Sequence, residues 1–126
     1  MQRLIFESKW DKTIAEQDRD RIKQIFNNAD LAPDINIQFT PISQAKNHRG
    51  ELLVMVLIHN TSNEDFSFLD RRLSYIVNET VFAAHTFSYS LTVEKQTSMP
   101  WTFIFPRDSF SSSEDFKGGV LCFTDK

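Results

Sequence analysis

Few side chains in this sequence have the types and spacing that metal binding requires. The three histidines, His48, His59 and His85, lie far apart, and none belongs to a His-x-x-x-His pair or a similar ligand pattern. The single cysteine, Cys122, follows an apolar Gly-Gly-Val-Leu stretch that is typical of a strand interior. We therefore interpret His59 and His85 as hydrogen-bonded structural residues and Cys122 as a buried structural thiol, and we predict no metal site.

Motifs for nucleophilic catalysis and phosphate binding are also missing. The sequence has no Gly-x-Ser-x-Gly element, and its three glycines cannot form a phosphate-cradling loop. The carboxylate pairs Glu64-Asp65 and Glu114-Asp115 occur among loop residues, where the charges are normally solvated. We predict no catalytic residue, no cofactor and no enzymatic activity. The alternative is a small-ligand-binding protein or enzyme with a pocket between sheet and helix, which His59 or His85 beside a carboxylate would favour.

The charge distribution argues against nucleic acid as a partner. The formal net charge is -3, and the fourteen lysines and arginines are spread along the chain instead of forming a basic patch. The densest basic stretch, 19–23, is interleaved with Asp18 and Asp20 and is typical of a solvated helix face.

The amino terminus lacks the features of an export signal. Its apolar run, Leu-Ile-Phe at 4–6, is far shorter than the core of a secretory signal and is followed by a charge. A single cysteine also suits a reducing compartment. Since no long apolar run follows, we expect a cytoplasmic protein without a membrane span.

One amphipathic helix is predicted near the amino terminus. Thr13-Ile14-Ala15-Glu16 fits the Ser/Thr-x-x-Glu capping box, which indicates a helix over about 14–28. At 100° per residue, Ile22, Ile25 and Phe26 form an apolar arc that can dock on a β body, and Trp10 would staple the helix start.

The rest of the sequence has the patterns of β-strands. Ile35, Ile37 and Phe39 alternate with polar residues, polar residues at 47–50 mark a turn, and 52–58 is an unbroken apolar run typical of a central strand. Further strands are predicted at 66–69, 73–77, 81–86, 87–93, 98–105 and 120–123, the last after a polar loop at 111–117.

The strand at 98–105 has the heaviest aromatic content. Trp101, Phe103 and Phe105 lie on one face, between Pro100 and Pro106. Several short strands without βαβ alternation predict a mainly β fold, an immunoglobulin-like antiparallel β-sandwich with one N-terminal α-helix. We expect a single domain over 1–126, with an N-terminal segment at 1–33 and the sandwich at 34–126.

Aromatic side chains are also the best candidates for a binding surface. Most of the twelve phenylalanines are needed to fill both layers of a sandwich. If some aromatic rings are exposed, Trp101, Tyr89 and Phe110 are the candidate partner-binding residues, because aromatic residues concentrate binding energy at interfaces. Charge-poor strands bounded by proline could also accept a partner's strand at a sheet edge.

Three stretches carry a family resemblance: Glu-Leu-Leu-Val-Met-Val-Leu-Ile-His-Asn at 51–60, Ala-Ala-His-Thr-Phe-Ser at 83–88, and Met-Pro-Trp-Thr-Phe-Ile-Phe-Pro at 99–106. Together they resemble the SLAP domain, over about 35–106. That domain occurs in S-layer assembly proteins associated with the accessory Sec export system of bacilli.

The resemblance implies a non-enzymatic protein-interaction module whose partner belongs to the export machinery or the cell envelope. It also implies peripheral association with the envelope. A structural homo-oligomer is a further alternative, and the sequence leaves both the partner and the oligomeric state open.

Overall fold

The computed structural model describes residues 2–7, 12, 14–32, 34–110 and 116–123. These residues confirm the prediction of a mainly β fold with one flanking helix. The helix is α1 (Glu16–Asn28), and the strands are β1 (Arg3–Leu4), β2 (Ile37–Lys46), β3 (Leu52–Asn60), β4 (Phe66–Ser67), β5 (Arg71–Val77), β6 (Thr80–Phe87), β7 (Thr92–Val93), β8 (Thr97–Phe105) and β9 (Val120–Phe123).

Helix α1 begins two residues later than predicted. Its predicted apolar face packs against the larger sheet. Its N-cap is Ala15, whose methyl side chain cannot bond to the free amides of the first turn. The predicted capping residue Thr13 and the predicted staple Trp10 lie outside the described residues. Ile22 is buried in a cluster with Ile42 and Leu57, so the helix covers one face of a sheet.

The larger sheet has the strand order β1-β8-β3-β2. Its centre is β3, the predicted apolar strand, which pairs antiparallel with β2 on one side and with the whole of β8 on the other. Strand β1 pairs with β8 in parallel, from Arg3 opposite Thr97 to Leu4 opposite Ser98. The prediction of a purely antiparallel structure is therefore wrong at this one edge.

Two smaller assemblies complete the β structure. Strands β6, β5 and β9 form the smaller sheet in that order, and β4 pairs with β7. The prediction of one continuous strand at 87–93 is wrong, because β6 ends at Phe87 and β7 covers only Thr92–Val93. Between them the backbone pairs irregularly with another segment: Tyr89 N–H donates to the Phe68 carbonyl (2.9 Å), and Phe68 N–H donates to the Leu91 carbonyl (3.0 Å). The predicted strand at 66–69 shortens to β4.

Aromatic rings from both sheets meet in one core. Phe103 on β8 is fully buried, and its ring lies 5.2 Å from that of Phe87 on β6 and 6.1 Å from that of Phe39 on β2. Tyr75 on β5 is also fully buried, and its ring reaches Phe105 on β8 at 6.5 Å. The alternation that predicted a core face for the strand at 98–105 is thus confirmed.

Strand β9 closes against Tyr75 at a position that only glycine can fill. A Cβ on Gly119 would lie 2.8 Å from the Tyr75 hydroxyl oxygen, and the Gly119 N–H donates to that oxygen (3.1 Å). The tyrosine hydroxyl in turn donates to the carbonyl of Phe116. Because Gly119 has no side chain, the Tyr75 hydroxyl can approach its backbone and hold the start of β9 in place by hydrogen bonds.

Candidate protein-interaction surface

Tyr89 and Trp101 form a half-buried aromatic pair at the periphery of the core. Trp101 belongs to the core-facing set of β8, and Tyr89 comes from the irregular segment between β6 and β7. Their ring centroids are 5.5 Å apart at 70°, an edge-to-face contact, and the Tyr89 ring also lies 5.9 Å from that of Phe103. Contacts with the core therefore hold both rings in place, while part of each ring stays in contact with solvent.

The polar atoms of this pair lie close to each other. Trp101 Nε1 is buried and forms no hydrogen bond to any part of the chain that the structure describes. Burial raises the pKa of the Tyr89 hydroxyl, while the nearby Ile104 backbone and Trp101 indole oppose that rise.

Phe110, the third predicted contact residue, lies in a different cluster. Its ring stacks on Phe82 at 5.4 Å and 25°, and the ammonium nitrogen of Lys46 lies 5.4 Å from the ring centroid. No ring contact joins Phe110 to Tyr89 or Trp101 in the described ranges. The structure thus brings two of the three predicted residues together, and a binding role for any of them stays a prediction.

A sheet edge lies beside the aromatic pair; the sequence predicted an accepting edge on a charge-poor strand bounded by proline but did not say which strand or which side. Strand β1 covers β8 only at Thr97 and Ser98, although β8 continues to Phe105. Beyond Ser98, no strand of the described residues pairs with this side of β8. Pro100 was the available signal, because a proline within a strand is normally found at a sheet edge.

His59 lies in a buried polar row across the larger sheet. Its Nε2 shares a 2.8 Å hydrogen bond with the Thr40 hydroxyl on β2, and its Nδ1 shares one of 2.6 Å with the Ser98 hydroxyl on β8. Gln2 Nε2 donates to the same serine oxygen (3.1 Å). Burial lowers the pKa of His59 to about 4, so the ring is neutral near pH 7. This confirms the interpretation of a hydrogen-bonded structural histidine.

The other groups singled out for chemistry are dispersed. His85 packs its ring edge-to-face on Phe87 at 4.9 Å. Cys122 is half-buried on β9, which corrects the prediction of a buried thiol, and this partial burial raises its pKa. The part of the chain that the structure describes contains no group of three His, Cys, Asp or Glu side chains that could hold a metal ion.

A groove separates the start of α1 from the larger sheet. Its volume is about 290 Å³, and its lining residues are Ile14, Asp18, Arg21, Ile22, Ile42, Ser43 and Met55. Arg21 donates to the Ile42 carbonyl (3.0 Å), which ties the helix to β2 across the groove. The lining includes one carboxylate, Asp18, and neither of the histidines that the ligand-binding alternative invoked.

Together, the sheets and the flanking helix define a mainly β domain with a half-exposed aromatic pair on and beside strand β8. A family model described as the SLAP domain matches residues 4–118, most of the chain. The chain therefore belongs to the SLAP domain family, which confirms the resemblance found in its sequence. Comparisons with curated proteins and with solved structures found no match. In the described residues, no helix is both long and apolar enough to cross a membrane.

Proposed function

We propose that this SLAP domain is a non-enzymatic protein-interaction module that contributes to surface-layer assembly through the accessory Sec export system. The observation that carries the proposal is the Tyr89–Trp101 pair, which is half-exposed and whose ring centroids are held 5.5 Å apart at the periphery of the core. Partly exposed aromatic rings on a rigid support are typical anchors of protein interfaces. Membership of the SLAP family supports this choice over unrelated binding roles.

The proposed partner is a protein of the export machinery or the cell envelope. In this proposal the domain acts in the cytoplasm and associates peripherally with the envelope through that partner. Its sheets would form an immunoglobulin-like sandwich whose filled core keeps the aromatic pair in place.

The proposal is tested by cross-linked pull-down from a native lysate, with the wild-type chain, Trp101→Ala and a matched control, Leu69→Ala. Leu69 is 56% exposed and lies outside the aromatic pair, so its loss removes an exposed apolar side chain elsewhere. We expect wild type and Leu69→Ala to recover the same envelope or Sec component and Trp101→Ala to lose it. Recovery of no specific protein, or equal recovery by all three chains, would contradict the proposal.

The groove beside α1 favours small-ligand binding as a second candidate function. Its volume of about 290 Å³ is at the lower limit of typical ligand pockets, and its lining is mostly apolar. A thermal-shift screen of small amphipathic compounds would test it. A ligand of this groove should raise the Tm of wild type and of Trp101→Ala, but not that of Ser43→Trp, in which the indole fills the groove.

A further inference from the structure

We propose that protonation of His59 releases strand β1 from β8, so that a chain of four hydrogen-bonded side chains makes the amino-terminal strand sensitive to acid. The four residues are Gln2, Ser98, His59 and Thr40, and their contacts run without a break across the larger sheet. The inference does not depend on the proposed partner, because every group in the chain belongs to the domain itself.

Gln2 attaches the start of β1 to this chain of side chains. Its Nε2 donates to the Asn60 carbonyl (3.1 Å) and to the Ser98 hydroxyl oxygen (3.1 Å). A carbonyl oxygen can only accept, so the nitrogen of the Gln2 amide must face Asn60. The same nitrogen is therefore the donor to Ser98, whose oxygen accepts a hydrogen bond from the amino-terminal segment.

Burial determines which nitrogen of the His59 ring carries the hydrogen. Ser98 is completely buried, and its hydroxyl contacts His59 and Gln2 within the described residues. Because Gln2 is a donor, the hydroxyl hydrogen of Ser98 needs His59 Nδ1 as its acceptor, 2.6 Å away. The ring hydrogen is then on Nε2, which donates to the half-buried Thr40 hydroxyl (2.8 Å).

A second proton on the ring reverses the bond between His59 and Ser98. Protonated Nδ1 is a donor, so the serine oxygen faces two donors, this N–H and the Gln2 amide, and the hydroxyl hydrogen loses its acceptor. A completely buried donor without an acceptor is costly. Withdrawal of Gln2 admits water, which accepts the serine hydrogen and leaves the serine oxygen to the imidazolium. Strand β1 then separates from β8 together with Gln2.

Charged groups on the elements around His59 lie on β1, on the sheet-facing side of α1 and at the far end of β2: Arg3, Asp18, Arg19, Arg21 and Lys46. Arg3 donates to the Thr97 hydroxyl (3.3 Å) and lies 3.8 Å from Glu94. Lys46 is the one charged residue in the sequences of β2, β3 and β8. Among the described residues none of these charges is bonded to the His59 ring, so the proton acts through the hydroxyl bonds.

The opening of β1 should follow the titration of His59. With β1 in place, burial lowers the pKa of the ring to about 4, whereas a ring in contact with water has a pKa near 6.5. The open form therefore binds the additional proton, and the closed form loses its advantage as the pH falls from about 6.5 towards 4. Between pH 7 and pH 5 these two values allow an increase in opening of up to about twentyfold.

The first test is an NMR titration of the His59 ring in wild type, Gln2→Met and the matched control Arg3→Lys. Methionine removes the amide donor with little change in volume, whereas Arg3→Lys changes the next residue and keeps its charge. If protonation opposes the Gln2 bond, loss of that bond must favour protonation by the same factor. We expect Gln2→Met to raise the pKa of His59 by about 0.5–1 unit, the effect of about one hydrogen bond, and Arg3→Lys to leave it unchanged.

Amide exchange in wild type is the second test and leaves β1 unchanged, in case Gln2→Met does not fold. The N–H groups of Arg3 and Ile5 donate to the carbonyls of Gln96 (3.1 Å) and Ser98 (2.8 Å) and so report on β1. We expect both to be less protected than the amides of β3 at pH 7, and to lose about tenfold in protection by pH 5.

Three results would overturn the inference. The first is a pKa of His59 that is the same in wild type and Gln2→Met, or that Arg3→Lys raises equally. The second is protection of Arg3 and Ile5 that does not change between pH 7 and pH 5. The third is protection of these two amides equal to that of β3 at both pH values, since β1 would then open only when the whole domain unfolds.

Discussion

At the scale of single residues, His59 shows how the fold uses a titratable group for structure. The ring is fully buried and bonded on both sides to hydroxyl groups, from Thr40 and Ser98. These two bonds join β2, β3 and β8 through side chains, in addition to the backbone ladder. Two hydroxyl partners can satisfy a neutral imidazole, and among the described residues no carboxylate is bonded to the ring to stabilise its charged form.

This environment makes stability depend on pH. The pKa of His59 is lowered from 6.5 to about 4, so between these values the unfolded chain binds more protons than the folded chain. The contribution of His59 is complete above about pH 6.5 and is lost as the pH falls towards 4, at about 1.4 kcal/mol per pH unit and about 3 kcal/mol in total.

Urea denaturation of wild type and His59→Gln at pH 7 and pH 5 measures this contribution. Glutamine keeps a donor and an acceptor but does not titrate in this range. The free energy of unfolding should fall by about 2 kcal/mol more in wild type than in the variant. An equal fall in both proteins would show that His59 is not held neutral by the fold.

At the scale of elements, the start of α1 is a weak point of the structure. Ala15 has the extended N-cap geometry, with φ -71° and ψ 152°, but provides no side-chain hydrogen bond to the helix. Ala15→Ser should therefore raise the free energy of unfolding by about 1 kcal/mol, because the hydroxyl can accept from a free first-turn amide.

Equilibrium denaturation of Ala15→Ser and Ala15→Val checks this account of the helix start. Valine cannot accept a hydrogen bond and should not stabilise the domain. Stabilisation by neither variant would show that the first-turn amides of α1 are already satisfied, and stabilisation by both would show that the gain does not come from a capping hydrogen bond.

The sequence predicted the type of each long element better than the limits of the short ones. The apolar run of β3 and the alternation of β8 identified their strands, since each pattern extends over most of its element. The segment at 87–93 has the same alternation, and Phe87, Leu91 and Val93 are buried as it suggests. Its ladder breaks because Tyr89 and Leu91 bond to the backbone of Phe68, a long-range contact that local patterns do not contain.

At the scale of the whole molecule, Phe103 joins the layers of the core. Its ring contacts Phe39 on β2 and Phe87 on β6, and it also lies 5.6 Å from the ring of Phe68. Phe103→Ala should lower the free energy of unfolding by about 3–5 kcal/mol through lost burial and a residual cavity. Val81→Ala is the control, because Val81 is 57% exposed and its truncation should cost less than about 0.5 kcal/mol.

Thermal or chemical unfolding of these two variants compares the loss in free energy of unfolding at a core position with the loss at a surface position. A small effect of Phe103→Ala, comparable to that of Val81→Ala, would mean that the two sheets do not depend on this ring for their packing.

The candidate surface was only partly predictable because it depends on contacts between distant segments. Aromatic type alone selected Tyr89, Trp101 and Phe110, but the fold unites the first two and places Phe110 beside Phe82 and Lys46. The edge neighbour of β8 in the described residues is β1, a strand too short for any periodic pattern. Pro100 marked the edge, yet only the strand order shows which side of β8 lies away from β3.

Site-specific photo-cross-linking in cells tests the central claim most directly. A photo-cross-linking residue in place of Ile104 lies at the proposed surface, and the same residue in place of Leu69 is the control; the two native side chains are 41% and 56% exposed. We expect position 104, but not position 69, to cross-link to a discrete export or envelope protein. Equal labelling at both positions, or no protein adduct at position 104, would contradict a partner-binding role for this surface.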